Sequence, residues 1–268
     1  MHNMPFIQKN AGGCVYMTAP SIKATHAFTT RFGGVSQGIY SSLNLGINCG
    51  DDPANVRENY RLICRALDIS EYDVVCSNQI HGTHIRVVTR EDCGGLLKIK
   101  PQEADGLITC DAEVALMVFT ADCVPILLHD HARGAIGAVH AGWRGTALNI
   151  AGAAIKRMVE EFHCDPADIR AAIGPCISRC CYETGQDVAD ALRGALGEAA
   201  DRCVAVRGEK YMADLKESNR LLLERAGLRD ITISGECTSC RSEKYWSHRR
   251  TNGKRGSQIA IIRKGSPS

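Results

Sequence analysis

Three runs decide the fold: Val114-Ala-Leu-Met-Val-Phe119, Val124-Pro-Ile-Leu-Leu-His129 and Ala135-Ile-Gly-Ala-Val139. Each is short, almost wholly apolar and bounded by polar or turn residues, the pattern of a buried strand. The longest apolar stretch, Val114 to Leu128, contains Asp122 and Pro125 and is too short to span a bilayer as a helix. Working outward, Val74 to Gln79 and Ile85 to Thr89 read as strands joined by a turn at His81-Gly82-Thr83. Strands also follow at Ile231 to Ser234 and Gln258 to Ile262.

Helical spacing frames these strands. Asn55 to Leu67 reads as a helix capped by Asn55 or Asp52. From Thr146, a possible N-cap, Leu148, Ala151, Ala154, Ile155, Met158, Val159 and Phe162 recur on one helical face. Val188 to Leu196 and Met212 to Ala226 are the next helices, the second closed by Gly227. The expectation is an α+β fold with mixed sheets and helices packed outside. No linker divides the chain, so residues 1–268 read as a single catalytic domain. Its ordered core is expected at about residues 14–264, between loose ends.

Composition excludes several classes. At 268 residues, with 44% hydrophobic and 23% charged, the chain can bury a substantial core. Its net charge of +2 gives no reason to expect nucleic acid or an anionic membrane as partner. The start, MHNMPFIQKN, lacks a basic segment followed by an apolar one, so the protein reads as cytoplasmic. Fourteen cysteines in such a compartment are mostly buried thiols, with a few ligands or reactive groups among them.

Polar residues at the ends of apolar strands are held rigidly at the edge of a core. His81, Cys123 and His140 each occupy such a position. One thiolate and two imidazoles are a three-ligand set of the kind catalytic zinc uses, with the fourth position open to water or substrate. Zinc held that way brings the pKa of a water toward neutrality. The bland alternative is a buried cysteine and two hydrogen-bonded histidines.

The chain resembles one bacterial family throughout. The resemblance is carried by Thr29-Thr-Arg-Phe-Gly-Gly-Val-Ser36, Ser42-Leu-Asn-Leu-Gly46, Asn78-Gln-Ile-His-Gly82, Ala104-Asp-Gly-Leu-Ile-Thr109 and Thr120-Ala-Asp-Cys-Val-Pro125. It continues in Ala138-Val-His-Ala-Gly-Trp-Arg-Gly145, Ile173-Gly-Pro-Cys-Ile177, Cys181-Tyr-Glu-Thr-Gly185 and Ser247-His-Arg-Arg250. The family is known in turn as laccase-domain polyphenol oxidase, purine nucleoside phosphorylase and peptidoglycan editing factor. The resemblance implies one zinc ion on His81, Cys123 and His140. It also implies phosphorolysis of adenosine, inosine and methylthioadenosine, with adenosine deaminase activity. Nucleoside and phosphate are then the partners.

Phosphorolysis needs cationic groups for phosphate, and Arg31 and Arg250 lie within the family-like motifs. Asn44 can hydrogen-bond ribose or base. For each arginine a structural ion pair or loop clamp is the competing role. Arg144, before the Thr146 helix, can attract an anion or brace the loop of His140. Asp122 can orient a ligand, although strand alternation sets it opposite Cys123. Zinc is preferred to copper, because laccase chemistry needs mononuclear and trinuclear copper centres and so many paired histidines.

Two other uses of the same site are open: amide hydrolysis on nucleotide-linked muramyl precursors, and a Cys123 nucleophile activated by His140. Among the remaining thiols, Cys237-Thr-Ser-Cys240 is a lone C-x2-C, and Cys176 with Cys180-Cys181 forms a second cluster. Together they can make a structural zinc site, or the C-x2-C a redox pair; free thiols are the default.

Overall fold

The computed structural model describes residues 5–94 and 102–265. Two six-stranded sheets stack face to face. The first runs, in spatial order, Ile7–Ala11, Cys14–Thr18, Thr25–Thr29, Gln258–Arg263, Ala115–Thr120, Val74–Val75. The second runs Asp230–Ile233, Ile169–Ile173, Val124–Asp130, Ala135–Ala141, Gly106–Thr109, Ile85–Val87. Both sheets mix parallel and antiparallel pairs. A small antiparallel sheet, Glu183–Thr184, Lys210–Ala213 and Val204–Arg207, stands beside them.

Side-chain alternation explains the continuous apolar runs. In strand Val124–Asp130, Leu127 faces the space between the sheets, while Ile126 and Leu128 face the helices Ile150–Phe162, Gln186–Leu196 and Leu215–Arg225. In strand Ala115–Thr120, Leu116 and Val118 point into the inter-sheet core, and Ala115 and Met117 meet the helix Pro53–Ala66. The layers are helix, sheet, sheet, helices. A strand buried on both faces has no reason to alternate with polar residues.

The α+β expectation holds, with mixed sheets and helices outside. Its details shift for physical reasons. Ile7–Ala11, expected as loose chain, is an edge strand paired with Cys14–Thr18; its polar sequence suits an exposed edge. Met1–Met4 and Ser266–Ser268, expected as loose ends, lie outside the described residues. The two strands flanking His81 shrink to Val74–Val75 and Ile85–Val87 and belong to different sheets. The Thr146 helix is broken: Trp143–Ala147 ends first, and Asn149, in a left-handed conformation, caps Ile150–Phe162 through its side chain. Thr146 is instead buried, its hydroxyl accepting from Asn219. Met212 and Ala213 belong to a strand, and Asp214 caps the helix that follows. Asp52, not Asn55, caps the helix Pro53–Ala66.

Leu127 is fully buried between the sheets. Leu127→Ala is expected to destabilise the protein by about 2–5 kcal/mol through lost burial and a residual cavity. Denaturant unfolding checks this; a change under about 0.5 kcal/mol, the scale of a surface substitution, contradicts the layer assignment.

Candidate metal centre

Two chain segments cross from the first sheet to the second. One is Ala121-Asp122-Cys123, between strands ending at Thr120 and starting at Val124. The other, after Val75 and before Ile85, carries His81. Val74–Val75 runs parallel to Ala115–Thr120, so both crossings leave the first sheet at the same end. His140 arrives there too, because its strand pairs antiparallel with Val124–Asp130 and sets His140 opposite Pro125. The topology brings three distant residues to one place.

Their ligand atoms lie within 4.8 Å of one another. The rings of His81 and His140 are 4.8 Å apart and nearly perpendicular. His140 is buried, Cys123 half-buried and His81 exposed, so the group opens toward solvent on the His81 side. Gly142 makes room for it: a Cβ there would lie 2.4 Å from His81 Nδ1 and 3.4 Å from Cys123 Sγ.

Asp105 organises the group. Its carboxylate, fully buried, accepts backbone N–H bonds from Ile80 at 3.1 Å, His81 at 3.0 Å and Gly82 at 2.7 Å. These three bonds stabilise His81 in its left-handed conformation (φ 61°). The same carboxylate lies 2.8 Å from His140 Nδ1, and the Asp105 carbonyl accepts from the His140 amide at 2.7 Å. A proton on Nδ1 leaves Nε2 to face the sulfur.

The electrostatics favour a cation. Burial alone would disfavour a charged His140, yet the Cys123 sulfur and the Asp105 carboxylate outweigh it and push the imidazole up to about 9. Burial opposes ionisation of Asp105 as well. Hydrogen bonds from His140, Gly82 and Ile80 nonetheless hold it below the usual carboxylate range. His81 moves the other way, lowered by partial burial and by its neighbour His140.

A cleft of about 850 Å³ opens over these residues. Phe119, Trp143 and Tyr182 supply aromatic wall, while His248, Arg249 and Arg255 supply cationic or donor groups. The expected substrate residues fare differently. Arg31 does not line the cleft: it donates to the Ser41 and Ser242 carbonyls and stacks on Trp246, clamping two loops. Asn44 is buried beneath the cleft floor, with its amide committed to Asp51, Cys49, Gly46 and Ser257. Arg250 is exposed outside the cleft lining, and its amide donates to the capping Ser247 hydroxyl.

The Asp122 carboxylate is turned away from the three candidate ligands. It accepts from Thr238, Ser247 and the Arg249 amide, anchoring the short helix His248–Thr251 at the cleft rim. Arg144 is exposed and lies over the Trp143 ring. Sequence reasoning missed Asp105, which ties His81 to His140, and the cleft-lining Arg249 and Arg255. Asp105 stood in a quoted motif, and Arg249 adjoined the arginine chosen. The chain's one His-x-His, His129-Asp-His131, was also passed over; it stands at the far end of strand Val124–Asp130 from Cys123.

The comparisons agree with this architecture. Residues 25–264 match the family model described as multi-copper polyphenol oxidoreductase laccase. The purine nucleoside phosphorylase YlmD of Geobacillus stearothermophilus is 39% identical over 267 residues, covering 97% of each chain. A purine nucleoside phosphorylase of Deinococcus radiodurans is 40% identical over 253 residues, 94% of each. The crystal structure of the Geobacillus YlmD superposes with a TM-score of 0.92 over 98% of this chain and all of that one. The chain belongs to this laccase-like family.

Asp105→Asn tests the hub. In chelator-treated protein, the His140 pKa is expected to fall from near 9 toward 6.5, because a negative neighbour that favours imidazolium is gone. An NMR pH titration reads this directly, and an unchanged midpoint contradicts the role given to Asp105.

Proposed function

We propose that the protein is a zinc-dependent purine nucleoside enzyme. It cleaves adenosine, inosine and methylthioadenosine with phosphate, giving the free base and (methylthio)ribose 1-phosphate, and deaminates adenosine at the same site. His81, Cys123 and His140 are the proposed zinc ligands. The observation that carries the reading is the meeting of two imidazoles and one thiol on the floor of an open cleft with cationic groups at its rim. Relatives named purine nucleoside phosphorylase, similar over almost the whole chain, support it.

The residues fit a zinc ion. Two nitrogens and one sulfur are a donor set zinc accepts, and among the described residues the other cluster of metal-binding side chains is made of cysteines, not of the histidines a multicopper centre needs. The Asp105 carboxylate and the Cys123 sulfur beside His140 favour positive charge at that point. Gly142 leaves the space that the His81 ring and the Cys123 sulfur occupy. Bound by His81, Cys123 and His140, zinc would supply Lewis acidity.

The chain's own residues do the rest. Asp105 fixes the orientation of His140 and the backbone of His81. Phe119 and Tyr182 offer aromatic surface to a purine. Arg249 and Arg255 are the phosphate-binding groups in this reading, replacing Arg31 and Arg250. Phosphorolysis forms a bond from a phosphate oxygen to the ribose C1′ and breaks the bond to the base nitrogen. The departing electron pair stays on the base, which takes up a proton. Holding the anionic nucleophile and its target together gives the rate advantage.

A Cys123–His140 nucleophile pair needs no second imidazole, so the position of His81 favours the metal reading. Product analysis with adenosine decides. Base release is expected to require phosphate and to yield ribose 1-phosphate, and Cys123→Ala is expected to lower turnover about 10³-fold, several kcal/mol of lost stabilisation. Phosphate-independent cleavage, or Cys123→Ala with full zinc and full turnover, rejects the proposal. So does a covalent adduct on Cys123 formed during turnover.

A further inference from the structure

Away from the tripod, four other sulfurs converge. Cys180 and Cys181 lie in a turn at residues 179–181, and Cys237 and Cys240 follow strand Asp230–Ile233. Cys240 Sγ lies 3.5 Å from Cys180 Sγ and 3.3 Å from Cys181 Sγ, and all four sulfurs fall within 4.8 Å of one another. A disulfide needs about 2.05 Å between two sulfurs and leaves the others aside. Four sulfurs placed about 2.3 Å from one zinc ion sit roughly 3.8 Å apart, the spacing of a tetrahedron's edges. Spacings of 3.3 and 3.5 Å within a group no wider than 4.8 Å suit that edge length and are far from a disulfide bond.

The backbone supports the same reading. Cys237 Sγ accepts N–H bonds from Ser178 at 3.3 Å and from Ser239 and Cys240. Donors two and three residues beyond the first cysteine of a C-x2-C spread the charge of a thiolate, the form that binds metal. The Thr238 amide bonds to the Cys176 carbonyl at 3.0 Å, and a parallel bridge joins Cys176 to Cys237, so the two segments are already in register. Cys176 itself is fully buried, its sulfur turned to the Ile177 carbonyl, and stands outside the cluster. Cys180 and Cys240 are exposed, giving an ion a way in.

We infer that Cys180, Cys181, Cys237 and Cys240 form a second metal site, separate from the tripod, that takes zinc as a closed structural ion. Four sulfur ligands fill a tetrahedral shell, so the site has no open position for chemistry. Its work is mechanical. Tyr182, next to Cys181, lines the cleft, and Arg249 donates to the Cys181 and Glu183 carbonyls at 3.3 and 2.9 Å. The segment after Cys240 leads into the helix that begins at His248. A zinc ion here staples two loops that together form one rim of the cleft, across a long span of chain.

Metal analysis of protein purified under reducing conditions tests this. About two zinc ions per chain are expected in the wild type, and about one in Cys180→Ser/Cys240→Ser. Cys123→Ala keeps the tetrathiolate ion while losing the other, so failure of either site is told apart from failure of both. Cobalt(II) bound to Cys123→Ala is expected to show strong thiolate charge-transfer absorption and tetrahedral bands. Should the double variant not fold, iodoacetamide labelling of wild-type protein serves instead. The four cysteines are then expected to resist alkylation until a chelator removes the metal. Free alkylation in metal-replete protein, the same zinc content in wild type and Cys180→Ser/Cys240→Ser, or a Cys181–Cys240 disulfide in place of the ion overturns the inference.

Discussion

A single buried carboxylate holds the site together. An ion such as Asp105 is expensive to strip of water, several kcal/mol even after relaxation, unless donors replace what water gave. Here three successive amides and an imidazole do so. Because those donors belong to two different segments, the cost of burying the charge is recovered only when both are in place. The loop of His81 and the strand of His140 are thus locked to each other through Asp105. Removing it leaves the amides and the imidazole without their acceptor, which costs more than the absence of one hydrogen bond.

The layered fold explains why this happens at one end of the molecule. Sheets buried on both faces leave little room for polar groups along their length, and the described core is accordingly apolar. Polar chemistry is pushed to strand ends, where the chain passes between sheets. His81 and Cys123 lie on two such passages, and His140 sits near the end of a strand beside the second. The rigid core fixes where the passages emerge, and rigid support is what a constellation of ligands needs.

Much of this was legible in the sequence. The central strands announced themselves because double burial makes them uniformly apolar, and the tripod followed from polar residues at their ends together with the family motifs. Ile7–Ala11 was not legible, because an exposed edge strand is specified by its partner's backbone rather than by side chains. The start of the helix at Leu215 was obscured by Met212 and Ala213, whose apolar character serves a strand just as well. Arginines were the hardest to place. A guanidinium reaches far, and only tertiary structure reveals that Arg31 clamps loops away from the cleft, while Arg249 and Arg255, which hold carbonyls too, line it. The role of Asp105 needed two partners distant in the chain, which no local pattern encodes.

The central claim is that His81, Cys123 and His140 share one zinc ion. Anomalous diffraction at the zinc absorption edge, on crystals grown without added metal, tests it most directly. The account predicts a peak at bonding distance from all three side chains, about 2.0–2.1 Å from each nitrogen and 2.3 Å from the sulfur. Well-ordered density for the three side chains with no anomalous peak among them, in protein that carries zinc in solution, contradicts it.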